Sequence, residues 1–207
     1  MDITRENTAL LVVDMQNGFI EAKGSMAAIG MPYQELRPAV AGCKTLIEAA
    51  HEAGVPVIYT RYVYHPDYTD AGLLPTVLVP AMKEVNSLAA GSWDAEIIDE
   101  LAPAPGDIVI DKARPSSFYG TRLEPILTSL GIRSLVIAGV TTNICVETTA
   151  RDAGQRDYLA HVIRDATAEF DPARHEHALT TIGFTFGWVN SVDEVLRAWA
   201  APEPAEG

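Results

Sequence analysis

The sequence is short of the residues that several classes of protein need. It contains two cysteines, Cys43 and Cys145, in 207 residues, so a disulfide framework is not implied. It has 15 lysines and arginines against 28 aspartates and glutamates, a formal net charge of −13. A nucleic-acid partner is not expected, because phosphate binding needs clustered cations. No apolar run reaches transmembrane length, and no basic and apolar signal segment opens the chain. We therefore expect a cytoplasmic protein with no membrane partner.

Motifs that bind phosphates or metals are also missing. No GxGxxG follows a predicted strand, and there is no Walker sequence. His175 and His177 lie two positions apart on a predicted helix and therefore face different sides, which makes them a poor metal pair. We expect neither a metal nor another cofactor.

Short apolar runs alternate with segments of helical spacing, and 48% of the residues are hydrophobic. This alternation predicts an α/β fold: a three-layer, Rossmann-like arrangement in which a six-stranded parallel sheet has helices on both faces. We expect one domain over residues 1–200 and a flexible tail over residues 201–207. The predicted strands are residues 9–14, 55–60, 107–111, 134–138, 158–163 and 187–190. The predicted helices are residues 35–53, 96–101, 121–130, 145–156, 172–182 and 191–200.

Three reactive side chains follow three of these strands. Asp14 ends the first strand, Lys112 lies just past the third, and Cys145 begins a helix shortly after the fourth. In a parallel sheet these positions share the edge where ligands bind. Each residue taken alone also fits a purely structural role: Asp14 as a capping acid, Lys112 as a surface lysine and Cys145 as a packed core cysteine. Together they predict a thiol nucleophile, because Asp14 can take its proton and Lys112 can stabilise the thiolate.

A cysteine–histidine pair is the competing possibility. His65 is the one histidine expected at the same edge, and we interpret it as a substrate contact or a bystander. Cys43 lies on the apolar face of a predicted helix and is interpreted as inert core.

Three segments together resemble the isochorismatase-like cysteine hydrolases. They are residues 10–19 (LLVVDMQNGF), 111–118 (DKARPSSF) and 138–147 (AGVTTNICVE). The resemblance covers nearly the whole chain and implies a catalytic triad of Asp14, Lys112 and Cys145. It also implies a non-proline cis peptide between Val140 and Thr141. The Thr141 and Cys145 N–H groups would then form the oxyanion hole.

Differences among members of this family narrow the activity that the resemblance implies. Isochorismatases proper lack the nucleophilic cysteine, and nicotinamidases carry an Asp-x-His metal motif where this chain has residues 61–67 (RYVYHPD). Residues 91–94 (GSWD), 99–107 and 186–189 (FGWV) look most like ureidoacrylate and biuret amidohydrolases. The expected enzyme is a hydrolase of linear amides that releases ammonia from a small carbamoyl or ureido compound through a thioester.

The sequence indicates the residues of the substrate pocket less specifically than the residues of the triad. Gln16 is expected to orient the Asp14–Lys112 pair and contribute to substrate binding. The candidates for the pocket wall are Phe19, Arg61, Tyr62, Trp93, Phe118, Asn143 and Trp188. The alternatives are an amidase for N-carbamoylsarcosine, maleamate or nicotinamide, and a non-enzymatic binding protein on the same fold. The resemblance also implies a homodimer or homotetramer.

Overall fold

The computed structural model describes residues 3–200, and six parallel strands form its central sheet. The strands are β1 (Thr8–Val13), β2 (Val57–Tyr62), β3 (Ile108–Lys112), β4 (Ser134–Val140), β5 (Leu159–Ala168) and β6 (Trp188–Asn190). They lie in the order β3-β2-β1-β4-β5-β6. The predicted six-stranded parallel sheet is confirmed, whereas the predicted tail over residues 201–207 lies outside the described residues.

Helices cover both faces of the sheet. The α-helices are α1 (Asn17–Ile20), α2 (Ser25–Ala28), α3 (Pro38–Ala53), α4 (Ala81–Glu84), α5 (Leu123–Ser129), α6 (Glu147–Gly154), α7 (Pro172–Thr181) and α8 (Val192–Ala200). The chain moves from β1 to β2 in one direction and from β4 to β5 in the other. Because parallel crossovers are right-handed, α3 and α6 cover opposite faces. The central strands β1 and β4 are buried along their whole length, which explains their unbroken apolar sequences.

Short turns of other helical types adjoin several α-helices. The 3₁₀ turns are Tyr33–Leu36, Trp93–Ala95 and Asp99–Leu101, and the π turns are Leu74–Leu78, Thr142–Val146 and Ile182–Phe186. The predicted helix over residues 96–101 is wrong. Ile97 instead forms an isolated bridge with Gln16, and this pairing separates two 3₁₀ turns.

Strand β5 is longer than predicted because it contains a bulge. Ile137 of β4 pairs with Val162, but Gly139 pairs with Thr167, so β5 carries extra residues at this point. Arg164 lies within the bulge and is exposed. Because this charged residue interrupts the apolar run, the sequence pattern did not predict that the strand continues. The longer strand brings residues that follow Ala168 to the edge of the sheet where Asp14 lies.

The direction of the strand order reverses between β1 and β4, which places a crevice beyond their carboxyl ends. Gly139 allows the two strands to approach closely. Its φ is 110°, and a Cβ there would lie 2.1 Å from the carbonyl oxygen of Val13. No helix within residues 3–200 combines the length and the apolar character needed to cross a membrane.

Candidate active site

Asp14, Lys112 and Cys145 meet at the carboxyl edge of the sheet. The Lys112 Nζ lies 2.7 Å from Asp14 Oδ2 and 3.6 Å from Cys145 Sγ. The hydroxyl of Thr60, on β2, donates a 2.7 Å hydrogen bond to the other Asp14 oxygen. The ends of three strands thus place an acid, an ammonium and a thiol within contact of one another.

The Lys112 ammonium is held on several sides. Besides Asp14, it donates a 3.1 Å hydrogen bond to the carbonyl oxygen of Arg114. It also lies 4.2 Å from the centre of the Tyr62 ring, a cation–π contact. Burial raises the pKa of the Tyr62 hydroxyl, which therefore stays neutral beside the ion pair.

The surroundings of Cys145 favour the neutral thiol over the thiolate by raising its pKa. Burial is the largest influence and raises its pKa, the nearby Lys112 ammonium lowers it, and the Asp14 carboxylate raises it further. Cys145 lies within the Thr142–Val146 π turn, and α6 begins at Glu147, two residues later than the predicted start of the helix at Cys145. The thiol must therefore lose its proton as it reacts, and Asp14 is the adjacent base.

Cys145 opens onto a cavity of about 140 Å³. Its wall is mainly apolar and carries one charged side chain, Arg174. The lining residues are Phe19, Met26, Ile29, Met31, Tyr62, Tyr64, Leu74, Val79, Met82, Leu88, Thr141, Ile144, Cys145, Phe170 and Arg174. The structure thus brings four of the sequence-predicted residues, Phe19, Tyr62, Thr141 and Cys145, to one cavity.

The turn after β4 has the backbone that the family resemblance implied. The peptide bond between Val140 and Thr141 is cis, which confirms that expectation. Both residues are buried, and Thr141 lines the cavity next to Cys145.

Two polar candidates take different positions from those expected. The Gln16 amide contacts main-chain groups: it donates to the carbonyl oxygens of Tyr62 and Ala95 and accepts the Tyr62 N–H. Gln16 therefore fixes Tyr62, which in turn contacts Lys112, and the hydrogen bonds of the Gln16 side chain go to main-chain groups and not to the ion pair. Arg61 makes a double hydrogen bond to Asp111 on the neighbouring strand, outside the cavity wall. The prediction ended β2 at residue 60, but the strand includes residues 61 and 62, whose side chains must point to opposite faces.

Other proposed wall residues also lie elsewhere. Trp93 is 51% exposed, and Phe118 packs against Tyr158. Trp188 stacks on the ring of His161 in β5, and the Asn143 N–H donates to Glu169. None of the four candidates lines the cavity described above. Their positions follow from contacts between distant segments, which the order of the sequence does not reveal.

Three functional candidates beyond β5 were missed from the sequence. The Glu169 carboxylate accepts hydrogen bonds from the Asn143 N–H at 3.1 Å and from its neighbour Phe170. His175 Nδ1 lies 2.8 Å from the Thr142 hydroxyl. Arg174 reaches the cavity from α7. Glu169 directly follows β5, and Arg174 and His175 lie on the next helix, α7. The predicted strand ended at residue 163, so the sequence did not place these residues near the carboxyl edge of the sheet.

No arrangement of three or more His, Cys, Asp or Glu side chains in the described part of the chain is suited to hold a metal ion. His65 is exposed and pairs with Asp67, its neighbour in the segment where nicotinamidases carry their metal motif. Cys43 is buried in α3, where its thiol contacts the Ala166 carbonyl oxygen at 3.3 Å. Burial raises its pKa to about 12, as expected for inert core.

A parallel sheet with an acid, a lysine and a cysteine at its switch point defines a class of cysteine hydrolases, and comparison with known proteins agrees. Residues 8–194 match the isochorismatase domain family, so the chain belongs to that family. It is 35% identical over 218 residues to the ureidoacrylate amidohydrolase RutB of Azorhizobium caulinodans, covering all of this chain and 96% of the relative. It is 39% identical over 205 residues to RutB of Pseudomonas syringae pv. syringae, covering 93% of this chain and 84% of the relative.

Solved structures are similar over most of their length. A cysteine hydrolase from Pseudomonas syringae pv. phaseolicola has a TM-score of 0.87 and 33% identity, covering 96% of this chain and 95% of that one. An N-carbamoylsarcosine amidase from Thermoplasma acidophilum has a TM-score of 0.73 and 33% identity, covering 90% of this chain and 96% of that one.

Proposed function

We propose that this protein is a cysteine-dependent amidohydrolase that releases ammonia from ureidoacrylate. The observation that carries the proposal is the Cys145 thiol, which faces a small cavity and has the buried Asp14–Lys112 ion pair behind it. The similarity to ureidoacrylate amidohydrolases over most of the chain supports the choice of substrate.

The first half of the reaction forms a covalent intermediate. Asp14 takes the proton of Cys145 as the sulfur attacks the carbamoyl carbon, so that an S–C bond forms and the carbonyl becomes an oxyanion. Lys112 stabilises the thiolate as the proton leaves. The N–H groups of Thr141 and Cys145 bind the oxyanion, and each such donor is worth roughly 3 kcal/mol of barrier.

The second half regenerates the enzyme. The C–N bond breaks as Asp14 returns its proton to the leaving nitrogen, and ammonia departs from a thioester-like intermediate. Asp14 then takes a proton from water, whose oxygen attacks the same carbon, and the thiol leaves protonated. The reaction uses no metal, redox partner or other cofactor.

The cavity supports a substrate with a carboxylate at the end remote from the carbamoyl group. Arg174 is the charged residue of a wall that is otherwise mostly apolar. Its loose contact with Asp171, 3.5 Å between charged atoms, leaves donors for a ligand. Ureidoacrylate carries a carbamoyl group at one end and a carboxylate at the other.

An N-carbamoyl amino acid is the second candidate. It presents the same two groups, and the similarity to the Thermoplasma acidophilum amidase favours it. Nicotinamide is less suitable because it has no carboxylate for Arg174, and maleamate is a simple amide without the ureido nitrogen that both candidates share.

The direct test is ammonia release by the purified protein from ureidoacrylate, biuret, N-carbamoylsarcosine, maleamate and nicotinamide at matched concentrations. We expect the highest kcat/KM for ureidoacrylate. A higher kcat/KM for N-carbamoylsarcosine would select the second candidate. Ligand binding without ammonia release from any of the five would favour the non-enzymatic alternative.

We further propose that the protein is cytoplasmic, acts as one domain over residues 1–200, and forms a homodimer or homotetramer. The free thiols of Cys43 and Cys145 support a reducing compartment. Self-association is supported by exposed apolar side chains, among them Leu78 at 70% and Phe184 at 87% exposure. Light scattering after size-exclusion chromatography measures the oligomeric state directly.

A further inference from the structure

The turn that follows β4 is tied to the segment after β5 at two consecutive residues. Glu169 accepts a hydrogen bond from the Asn143 N–H at 3.1 Å. The Thr142 hydroxyl contacts His175 Nδ1 at 2.8 Å. Both residues, which directly follow Thr141, are therefore held by partners that are distant in sequence.

Glu169 is well suited to this task. It is 3% exposed, and its two carboxylate oxygens have separate partners, since one accepts from Phe170 and the other from Asn143. Burial raises its pKa, while the hydrogen bonds and the nearby Arg174 favour the ionised form. A buried acid with these contacts fixes the backbone around it, because moving the turn would leave its oxygens unpaired.

From these contacts we infer that Glu169 and His175 are positioning residues that hold the Thr141–Asn143 turn in the geometry needed to bind the oxyanion. The inference rests on the proposed function, since it assigns Thr141 to the oxyanion hole. Neither residue lines the cavity described above, so both act through the turn and not on the substrate.

The arrangement also links binding to catalysis. Arg174, proposed to bind the substrate carboxylate, lies one residue before His175 on α7 and interacts electrostatically with Glu169. The segment from Glu169 to His175 therefore contributes to the cavity wall and also contacts the turn that precedes Cys145. Displacement of this segment should weaken the binding of the transition state more than the binding of the substrate.

The test compares four variants with the wild type. Glu169→Gln keeps the shape of the side chain but replaces one accepting oxygen with an N–H₂ group. His175→Ala removes the contact to Thr142, and His175→Asn restores a hydrogen-bonding atom near the position of Nδ1. Glu176→Gln is the matched control, because Glu176 is exposed and pairs with Arg164 away from the turn.

We expect Glu169→Gln to lower kcat by about tenfold to a hundredfold with little change in KM. His175→Ala should lower kcat by a smaller factor, His175→Asn should recover most of it, and Glu176→Gln should match the wild type. All values are measured well below each variant's unfolding midpoint, so that a loss of stability alone does not lower kcat. If Glu169→Gln does not fold, the two His175 variants still decide the question.

A second measurement does not depend on the natural substrate. Glutarate semialdehyde has as many bonds between its aldehyde and carboxylate carbons as ureidoacrylate has between its carbamoyl and carboxylate carbons. Asp14 takes the thiol proton as the Cys145 sulfur adds to the aldehyde carbon, an S–C bond forms, the C=O π bond breaks, and the resulting oxyanion enters the oxyanion hole. Its affinity should fall in parallel with kcat in Glu169→Gln and His175→Ala.

A folded Glu169→Gln with kcat and aldehyde affinity within twofold of the wild type would overturn the inference. So would a His175→Asn protein as impaired as His175→Ala, or variants that lose thermal stability alone. A wild type that releases no ammonia from ureidoacrylate contradicts the proposed substrate instead, and the inference is then decided by aldehyde affinity.

Discussion

The Lys112 ammonium and the Asp14 carboxylate are 2.7 Å apart, and both side chains are completely buried. The two residues lie at the ends of β3 and β1, which are separated in the sheet by β2. The Lys112 side chain therefore crosses the end of β2, beside the Tyr62 ring, to reach Asp14. A buried ion pair is costly to desolvate, so its value here lies in the chemistry it allows at Cys145.

Removing one member of this pair should destabilise the fold strongly. Lys112→Met leaves the Asp14 carboxylate buried without its cation, and we expect a loss of about 3–5 kcal/mol in the free energy of unfolding. The double variant Asp14→Asn/Lys112→Met should be less destabilised than Lys112→Met, because no charge remains unpaired. Urea unfolding of the single and double variants measures both effects. Additive losses from the two single substitutions would contradict this coupling.

Removing the nucleophile should abolish turnover without unfolding the protein, whereas removing its base should also lower stability, because Asp14→Asn leaves the Lys112 ammonium unpaired. Cys145→Ala and Asp14→Asn should each lower kcat/KM for ammonia release by at least ~1,000-fold, because the two groups act as a unit. The control is Cys43→Ala, which removes the other thiol from the core and should keep near-wild-type activity. Near-full activity in Cys145→Ala would exclude Cys145 as the nucleophile.

Arg174→Gln should separate binding from chemistry. Without the guanidinium we expect KM for ureidoacrylate to rise by about tenfold, equivalent to ~1.4 kcal/mol, while kcat changes little. Biuret has no carboxylate, so any hydrolysis of biuret should be insensitive to the substitution. An equal rise in KM for both compounds would show that Arg174 shapes the cavity without recognising a carboxylate.

Chelation should leave activity unchanged. We expect the same rate of ammonia release after prolonged dialysis against EDTA as after dialysis against buffer alone, because Asp14, Lys112 and Cys145 perform the proposed steps. Elemental analysis of the dialysed protein verifies that metals were removed. A rate that falls on chelation and returns with a divalent cation would favour a metal-dependent amidase.

His161 should make stability depend on pH. Burial lowers its pKa, and Nδ1 contacts the side-chain oxygen of Asn190 at 3.0 Å. The folded protein thus binds a proton at His161 less readily than the unfolded chain does. The resulting stability is fully present above the unfolded pKa of about 6.5 and decreases as the pH falls below it.

The measurement is the free energy of unfolding between about pH 7.5 and pH 5.5. We expect it to fall with decreasing pH in the wild type and to fall less steeply in His161→Gln. The exposed His177 provides the control, since His177→Gln should keep the wild-type slope. Identical slopes in the wild type and His161→Gln would exclude His161 as a source of the dependence.

The sequence by itself determined the parallel sheet and the reactive side chains at its carboxyl edge. Continuous apolar strands such as β1 and β4 can be stable only between two layers of helices, so their pattern predicted the parallel sheet. Strand ends in such a sheet share one edge, which was enough to group Asp14, Lys112 and Cys145. These inferences succeeded because they depend on local pattern and on the general geometry of the fold.

Tertiary structure alone decided the surroundings of these groups. Arg61 and Tyr62 are adjacent in sequence, yet strand pairing sends one to a surface ion pair and the other to the cavity. A bulge in β5 carries the chain on to Glu169, Arg174 and His175, which the apolar pattern could not follow past Arg164. His175 and Glu169 contact residues about 30 positions earlier in the sequence, and Arg174 faces the other residues of the cavity wall. Such contacts form only when the helices pack against the sheet.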